Sequence, residues 1–233
     1  IGLPVLDTLA METPDVYVLE LSSFQLETTN SLKADAATML NLTEDHMDRY
    51  DELAMYAAAK AHIFYHATHQ VLNRDDAWSM IMERPSAQVT TFGLDADDNY
   101  FGIDDTQEDI WLCEGGKHLI NAADLHIRGS HNASNALAAL ALCRAIGIEY
   151  APLLNALYNF KGLPHRCQFV RCLSGVEFVN DSKGTNPGSV VTALNSLGKD
   201  INGKVILIAG GDAKGADLSP LVEPVKRFVG GLV

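Results

Sequence analysis

The stretch LTEDHMDR, residues 42–49, decides the interpretation of the fold because it joins a predicted strand to a predicted helix. Residues 36–40 before it form an apolar run typical of a buried strand, and residues 51–67 after it carry apolar side chains near helical spacing. In open α/β sheets, ligands bind outside the carboxyl ends of the strands. The carboxylates and the imidazole of His46 would suit a divalent cation and its phosphates. Thr, Asp and Glu also cap helix N-termini, so a plain helix cap stays open.

Strands and helices alternate on both sides of this stretch. We predict buried strands at residues 15–23, 36–41, 70–73 and 88–92, with helices at 51–67 and 75–83 between them. Such alternation indicates a parallel sheet with helical crossovers. From residue 95 to 127 the pattern changes, and short segments joined by Glu114-Gly115-Gly116 predict a hairpin. The expected fold class is therefore α/β, with a mostly parallel mononucleotide-binding sheet and a small antiparallel sheet.

A second unit is expected after a break at residues 161–166. Helices are predicted at 136–146, ended by Gly147, and at 151–160. Beyond the break we predict strands at 167–171, 176–180 and 204–209 and helices at 188–197 and 218–228. We therefore divide the chain into residues 1–162 and residues 163–233, and the second unit has the pattern of a partial Rossmann-like domain.

Composition narrows the functional classes. The 233 residues carry a net charge of −13, which disfavours nonspecific binding to nucleic acid or to an anionic membrane. The four cysteines form no CxxC, so a zinc ribbon or a thioredoxin-type site is disfavoured, and a reducing cytosol is expected. The apolar helix at 136–148 is too short to span a bilayer. Both ends of the sequence look like cuts through a longer protein.

Five polar loops follow predicted strands or open predicted helices, around Glu20, His46, Asn132, Asp181 and Asp212. The carboxyl edges of α/β units converge on one cleft, so we expect these loops to meet. A metal-assisted phosphoryl-transfer or ligase site between two domains is the chemistry that the residue types favour.

The side chains of these loops divide by chemistry. Glu20 and His46 can hold Mg²⁺, and Asn135 can contact a nucleotide base. Cationic side chains can bind phosphates or carboxylates, namely Arg166, Lys183 and Lys214.

Each loop also has a simpler interpretation. Glu20 could lie on an edge strand, and Asn132 and Asn135 could cap the helix that follows them. Gly210 and Gly211 could form a tight turn rather than an anion-binding nest. Lys60, which has alanine neighbours on both sides, could be solvated. The phosphate-loop pattern GxxxxGK[ST] does not occur in residues 1–233, so we expect one upstream of residue 1.

Several longer strings resemble the Mur ligases, in order and with compatible spacing from residue 1 to around residue 220. They are LELSSFQL at 19–26, NLTEDHMDRY at 41–50, HN at 131–132 with NALAA at 135–139, LPHR at 163–166, NDSK at 180–183 with TN at 185–186, and GGD at 210–212 with Lys214. The SSFQLE and EDHMDRY strings favour the D-glutamate-adding members of the family.

The resemblance implies a three-domain cytoplasmic enzyme of peptidoglycan synthesis. Residues 1–162 would be the central ATP-binding domain, and residues 163–233 the domain that brings the amino acid. ATP would phosphorylate the carboxylate of UDP-N-acetylmuramoyl-L-alanine to an acyl phosphate, and the amine of D-glutamate would attack it. The intact enzyme is expected to be a monomer that neither inserts into a membrane nor binds nucleic acid.

The resemblance also assigns roles to individual residues. Glu20 would hold one Mg²⁺, and His46 would hold a second one together with Lys60, whose amine would be carbamylated by CO₂. The cofactor contacts would be Asn135 at adenine, Arg166 at the γ-phosphate and Asp181 at the ribose, with Asn132 as a further cofactor-binding residue. The substrate contacts would be Ser22, Gln25, Lys183, Thr185 and Lys214.

Three alternatives stay open at this point. The chain could belong to a sibling Mur ligase or a folylpolyglutamate synthetase, or it could be a non-catalytic nucleotide-binding module. A stand-alone metallohydrolase is disfavoured because no HExxH-like cluster occurs. We expect residues 1–233 alone to lack ligase activity.

Overall fold

A six-stranded sheet forms the centre of the computed structural model, which describes residues 3–106, 109–127, 129–201, 203–212 and 215–233. Its strands lie side by side in chain order: β1 (Ala36–Met39), β2 (His69–Asn73), β3 (Gln88–Phe92), β4 (Phe101–Asp104), β5 (Trp111–Glu114) and β6 (Lys117–Asn121). The strands from β1 to β4 pair in parallel, whereas β5 pairs antiparallel with both β4 and β6. The expected parallel sheet and hairpin are confirmed, and the previously unpredicted β4 joins them into one sheet.

Seven α-helices lie within the described part of the chain. They are α1 (Ser23–Glu27), α2 (Leu53–Ala61), α3 (Ala77–Ile81), α4 (Ser130–Ala145), α5 (Tyr150–Asn159), α6 (Pro187–Asp200) and α7 (Val222–Phe228). Short 3₁₀ segments accompany them at Val5–Ala10, His62–Phe64, Ala122–Asp124 and Ser219–Leu221. The helix predicted at 51–67 is therefore shorter, because its last turn tightens into a 3₁₀ segment.

Two small sheets follow α5. Strands β7 (Gln168–Leu173) and β8 (Val176–Asn180) form an antiparallel hairpin. Strand β9 (Val205–Leu207) pairs in parallel with β10 (Val229–Leu232), which no sequence pattern had predicted. A strand, helix and parallel strand in this order fit a partial Rossmann-like unit. The domain division at residue 162 stays a prediction.

The core consists of two apolar clusters on opposite faces of the large sheet. Val71 and Leu72 are adjacent in β2 and both are 0% exposed, yet each belongs to a different cluster. Successive strand residues point to opposite faces, so β2 is covered on both sides, as parallel strands usually are. Helix α4 supplies much of one cluster, and α2 supplies much of the other.

Local signals explain where several elements turn or end. Gly115 and Gly116 have φ values of 54° and 72°, which a two-residue turn between β5 and β6 requires and which glycine adopts without strain. Gly147 follows α4 with φ 84°, the usual left-handed end of a helix. Asn186 caps α6 by accepting from the Ser189 backbone N–H at 2.8 Å.

The prediction of a buried strand at residues 15–23 is wrong. Residues 15–20 are exposed and form no described strand pair, and Ser23 already lies in α1. An apolar β-branched run becomes a strand only where a neighbouring strand supplies its backbone hydrogen bonds. Within the described ranges, β1 pairs with β2 alone, and residues 15–21 do not pair with the open edge of β1.

None of the helices in the described part of the chain is both long and apolar enough to cross a membrane.

Candidate functional site

A cleft of about 290 Å³ lies beside the loop that follows β1. Its lining comprises Glu20, Leu21, Ser22, Ser23, Gln25, His46, Tyr56 and Lys60. The structure therefore brings together five residues that the sequence had singled out, namely Glu20, Ser22, Gln25, His46 and Lys60. They come from three separate segments: residues 20–25, which lead into the first turn of α1, the loop after β1, and α2.

Ser22 and Gln25 form the N-terminal cap of α1. Ser22 Oγ accepts a hydrogen bond from the Gln25 backbone N–H at 3.3 Å, and Gln25 Oε1 accepts one from the Ser22 N–H at 2.9 Å. This reciprocal arrangement is a capping box, which satisfies two helix-terminal donors at once. A ligand of the Ser22 hydroxyl or of Gln25 Oε1 would therefore have to share groups that already hold the start of α1.

His46 adopts a backbone conformation that is uncommon for a side chain of its size. Its φ is 59°, and its backbone N–H donates to Asp45 Oδ1 at 2.9 Å. The imidazole lies 4.9 Å from the ring of Phe24, measured between centroids. Non-glycine residues in this region occur where the surrounding structure holds them in place, often at functional sites.

Lys60 lies on α2, one turn after Tyr56, and its ammonium is 5.2 Å from the centre of the Tyr56 ring. Burial lowers the pKa of Lys60, and the negative charges of Asp45 and Glu20 partly offset this effect. The same environment raises the pKa of Tyr56 to about 12, mainly through burial. The lowered pKa means that Lys60 has a larger fraction of neutral amine at a given pH than a solvated lysine.

The donor set of the cleft fits a metal only in part. Glu20 and His46 offer a carboxylate and an imidazole, whereas a protonated Lys60 would repel a cation. Across the described ranges, no group of three or more His, Cys, Asp and Glu residues is arranged to hold a metal ion. A metal would therefore need an anionic form of Lys60 or further oxygen donors from ligands.

The loop that follows β8 reaches the same edge of the molecule. Asn186, at its end, donates from Nδ2 to Asp45 Oδ2 at 3.5 Å. Gly188 packs against Thr43, since a Cβ on Gly188 would lie 3.1 Å from the Thr43 methyl carbon. The start of α6 is therefore docked on the loop that carries His46.

Three predicted site residues, Asp181, Lys183 and Thr185, lie on this second loop. Asp181 Oδ1 accepts from the Cys167 backbone N–H at 2.9 Å, which ties the loop to the start of β7. Lys183 donates its backbone N–H to the His165 carbonyl at 3.1 Å, so its exposed side chain stays available. Thr185 and Arg166 are also exposed. Lys214 lies outside the described residues.

Asn132 and Asn135 occupy the first turns of α4. Asn135 is exposed and donates from Nδ2 to Asn132 Oδ1 at 3.5 Å, so the two amides face each other. The preceding Gly129 approaches α6 closely, because a Cβ at this position would overlap with Ser196 Oγ. This end of α4 thus lies next to α6, although neither asparagine lines the cleft.

Sequence reasoning missed the aromatic residues of the site, Phe24 and Tyr56. Tyr56 could have been found, because residues four apart on a helix share a face and Tyr56 precedes Lys60 by four. Phe24 could not, because its contact with His46 joins two segments that are distant in the chain.

Residues 1–143 match the model of the Mur ligase middle domain. The match covers more than half of the chain. The chain belongs to the Mur ligase family.

Curated relatives give a similar picture at higher identity. The chain is 52% identical to UDP-N-acetylmuramoylalanine–D-glutamate ligase of Nitrosomonas europaea and 54% identical to the protein of that name from Methylobacillus flagellatus. Its similarity to the namesake from Pseudomonas aeruginosa is 48% identity. In each case the whole chain aligns with 51–52% of the relative, so the chain spans about half the length of these Mur ligases.

Solved structures agree with the fold. MurF from Acinetobacter baumannii superposes with a TM-score of 0.72 at 18% identity, over 90% of this chain and 48% of that one. A UDP-N-acetylmuramoyl-L-alanyl-D-glutamate–2,6-diaminopimelate ligase gives a TM-score of 0.64 at 22% identity, over 91% and 46%. At these identities the likeness shows the Mur ligase fold alone.

Proposed function

We propose that this chain is part of an ATP-dependent ligase that joins D-glutamate to UDP-N-acetylmuramoyl-L-alanine in peptidoglycan synthesis. The observation that carries the proposal is the meeting of Glu20, His46 and Lys60 in one cleft. The names of relatives that are 52% and 54% identical to the chain support D-glutamate and UDP-N-acetylmuramoyl-L-alanine as the two compounds that are joined.

The proposed reaction has two steps. The γ-phosphoryl group of ATP passes to the substrate carboxylate, which gives an acyl phosphate and ADP. The amine of D-glutamate then attacks the carbonyl carbon, the C–O bond to phosphate breaks, and the amine loses a proton as the amide forms. Catalysis of such transfers rests on positioning and on stabilising charge, which are roles that polar loops at a strand edge can fill.

Glu20 and His46 are the proposed ligands for Mg²⁺, at two sites. Bound Mg²⁺ would neutralise the negative charge on phosphate oxygens. Lys60 is proposed to lose a proton to give the neutral amine, which attacks CO₂, forms an N–C bond and releases a second proton. The cation is thereby converted into a carbamate anion. The lowered pKa of Lys60 supports this reaction, because only the neutral amine is nucleophilic.

The remaining contacts are proposed for the loops around α4 and α6. Asn135 and Asn132 would contact adenine, Arg166 the γ-phosphate and Asp181 the ribose. Lys183, Thr185 and Lys214 would bind D-glutamate, with Ser22 and Gln25 at the UDP-sugar substrate. The contact between Asn186 and Asp45 supports a shared site, because it brings the second loop to the cleft.

We further propose a cytoplasmic, monomeric parent enzyme. All four cysteines are free thiols, which fits a reducing compartment.

A chimera tests the reaction. Residues 1–233 replace the aligned half of the Nitrosomonas europaea relative, and formation of ADP and of the amide product is measured with D-glutamate. We expect D-glutamate-dependent product, and a loss of about 100-fold or more for Lys60→Ala, as for other groups that stabilise charge in a transition state. Lys199→Ala is the control, because Lys199 is exposed and lies on α6.

The outcomes separate the alternatives. Product with meso-diaminopimelate or L-alanine but not D-glutamate would favour a sibling ligase. Nucleotide binding without any product would favour a non-catalytic module. An inactive chimera that folds and binds neither ATP nor Mg²⁺ would overturn the proposal.

The carbamate has its own test on the chain itself. In ¹³C-bicarbonate buffer we expect a carbamate carbon signal that is lost in Lys60→Ala and kept in Lys199→Ala. A wild-type spectrum without such a signal at any pH between 7 and 9 would remove this part of the proposal.

A further inference from the structure

Glu27, the last residue of α1, holds two side chains of the loop that carries His46. Its Oε2 accepts from Arg49 Nη2 at 2.5 Å, and its Oε1 accepts from the Tyr50 hydroxyl at 2.6 Å. Both carboxylate oxygens are therefore engaged by neighbouring residues of the 46–50 loop. Glu27 does not line the cleft itself.

Phe24, one turn earlier on the same helix, contacts this loop at a second place. Its ring lies 4.9 Å from the His46 ring, and the Arg49 guanidinium carbon lies 4.9 Å above its centre. The Tyr50 ring stacks on Phe24 at 6.4 Å with an angle of 13°. Arg49 and Tyr50 thus touch both Phe24 and Glu27, and α1 holds the loop at two points.

This double contact matters because the His46 backbone is in the left-handed region. A non-glycine residue keeps such a conformation only when its surroundings over-determine it. Asp45 Oδ1 accepts from the His46 N–H, and Asp45 Oδ2 lies 3.8 Å from His46 Nε2. On the other side, the backbone N–H groups of Arg49 and Tyr50 donate to the His46 carbonyl at 2.9 and 3.1 Å, so the anchoring of residues 49 and 50 acts directly on His46. Tyr50 is 5% exposed, so its hydroxyl needs the acceptor that Glu27 supplies.

We propose that Glu27 is a positioning residue for His46: it binds Arg49 and Tyr50, and thereby holds the imidazole against Phe24 and toward the cleft. The importance of that position for a metal rests on the proposed function, whereas the position itself does not. Arg49 and then Tyr50 lower the pKa of Glu27, so the carboxylate is charged when it binds them.

The test compares two carboxylates, each hydrogen-bonded to an arginine, on the same chain. Glu27→Gln keeps the size of the side chain and one oxygen for Tyr50, but it removes the negative charge, and the amide nitrogen that replaces the other oxygen cannot accept from Arg49. Asp95→Asn is the matched control, because Asp95 accepts from Arg74 Nη2 at 2.6 Å and from Arg74 Nε at 3.1 Å, outside the cleft lining. Unfolding curves verify that both variants are folded.

Two nuclear magnetic resonance signals report on His46. The first is the ring-current shift that Phe24 imposes on the His46 imidazole protons, for which Phe24→Leu sets the zero. The second is the broadening of these protons by Mn²⁺. We expect Glu27→Gln to lose at least half of the ring-current shift and to raise the Mn²⁺ concentration for half-broadening about tenfold, as for other groups that orient metal ligands. Asp95→Asn should change neither signal.

Arg49→Gln tests the same contact from the other partner, so the test stands even if Glu27→Gln unfolds. The effects of the two single substitutions should add up to more than the effect of the double variant, because both remove the contact between Glu27 and Arg49. The proposal is overturned if Glu27→Gln and Arg49→Gln leave both signals at wild-type values, or if Asp95→Asn moves them equally. A wild-type chain that shows the ring-current shift but no Mn²⁺ broadening would contradict the proposed metal site. The ring-current shift of the variants would still test whether Glu27 positions His46.

Discussion

The six-stranded sheet and the hairpin of β7 and β8 contain similar apolar residues but differ completely in burial. Phe92 in β3 is 0% exposed, whereas Phe169 in β7 is 58% exposed, and β7 is exposed along its whole length. Helices cover both faces of the large sheet, whereas the hairpin has exposed apolar side chains. Apolar composition therefore does not determine burial; a strand is buried only where another layer packs on its face.

Removing an aromatic ring from each region should give the largest difference in the free energy of unfolding. Phe92→Ala should lower the free energy of unfolding by about 3–5 kcal/mol, because it removes buried surface and leaves a cavity. Phe169→Ala should lower it by less than about 1 kcal/mol, because most of its ring is already in water. Denaturant unfolding at constant m-value measures both. Equal losses would contradict the contrast in burial.

A substitution at Ser79 tests the buried hydrogen bonds between α3 and the large sheet. This residue is 0% exposed, donates to the Met39 carbonyl at 2.8 Å and accepts from the Asn73 backbone N–H at 2.9 Å. Ser79→Ala should destabilise the chain by about 1–3 kcal/mol, because two buried backbone groups lose their partner. The exposed Ser219→Ala serves as control and should stay within about 0.5 kcal/mol.

Asn186 tests the connection between the two regions, because it caps α6 and also contacts Asp45. Asn186→Ala should cost about 1 kcal/mol, the usual value for a lost cap. Asn186→Asp keeps a capping oxygen but places a carboxylate opposite Asp45. We expect its cost to shrink in 1 M salt, which screens charges beyond about 3 Å, while that of Asn186→Ala does not. A salt-independent cost for Asn186→Asp would show that the Asp45 contact is unimportant.

Chemical modification of the cysteines compares the burial of the two regions without a large change in stability. Cys172 in β7 is exposed, whereas Cys113 in β5 is buried, and burial raises the pKa of Cys113 and of Cys143. Burial, with the charge of Asp181, raises the pKa of Cys167 to about 11. At pH 8 iodoacetamide should therefore modify Cys172 first, as peptide mass mapping would show. Faster modification of Cys113 would contradict the burial of β5.

The raised pKa of Cys167 also predicts a pH dependence. The folded state keeps its proton above the unfolded pKa of about 8.5, so the folded state binds more protons and stability falls as pH rises from about 8.5 toward 11. Cys167→Ala should flatten the high-pH part of this decline.

Most elements could be predicted from the sequence, because their periodicity and end signals are local. Strands β3 and β8 have the bounds that the pattern predicted, and Gly147 and the turn at Gly115 and Gly116 lie where expected. Strand β4 was missed because a four-residue segment with a single glycine in it carries little pattern. Residues 15–23 were wrongly predicted because pairing with a neighbour is a property of the sheet, not of the run itself.

The candidate site divides in the same way. The resemblance and the loop chemistry singled out Glu20, His46 and Lys60, and the structure places them in one cleft. The partners that surround them, Phe24, Glu27 and Tyr56, were not found. These three residues matter because they lie close to side chains of other segments, and a single sequence does not contain such distances.

The sequence by itself determined the α/β class, most of the elements and the residue types of the site, because these follow from periodicity, turn chemistry and motif strings. Only the tertiary structure decided which apolar strands are buried, and that α1 holds the His46 loop through Phe24 and Glu27. The physical reason is that burial and positioning depend on which faces meet. Helix α1 and residues 46–50 are distant in the sequence and meet only when the chain folds, so local preferences do not encode their contact.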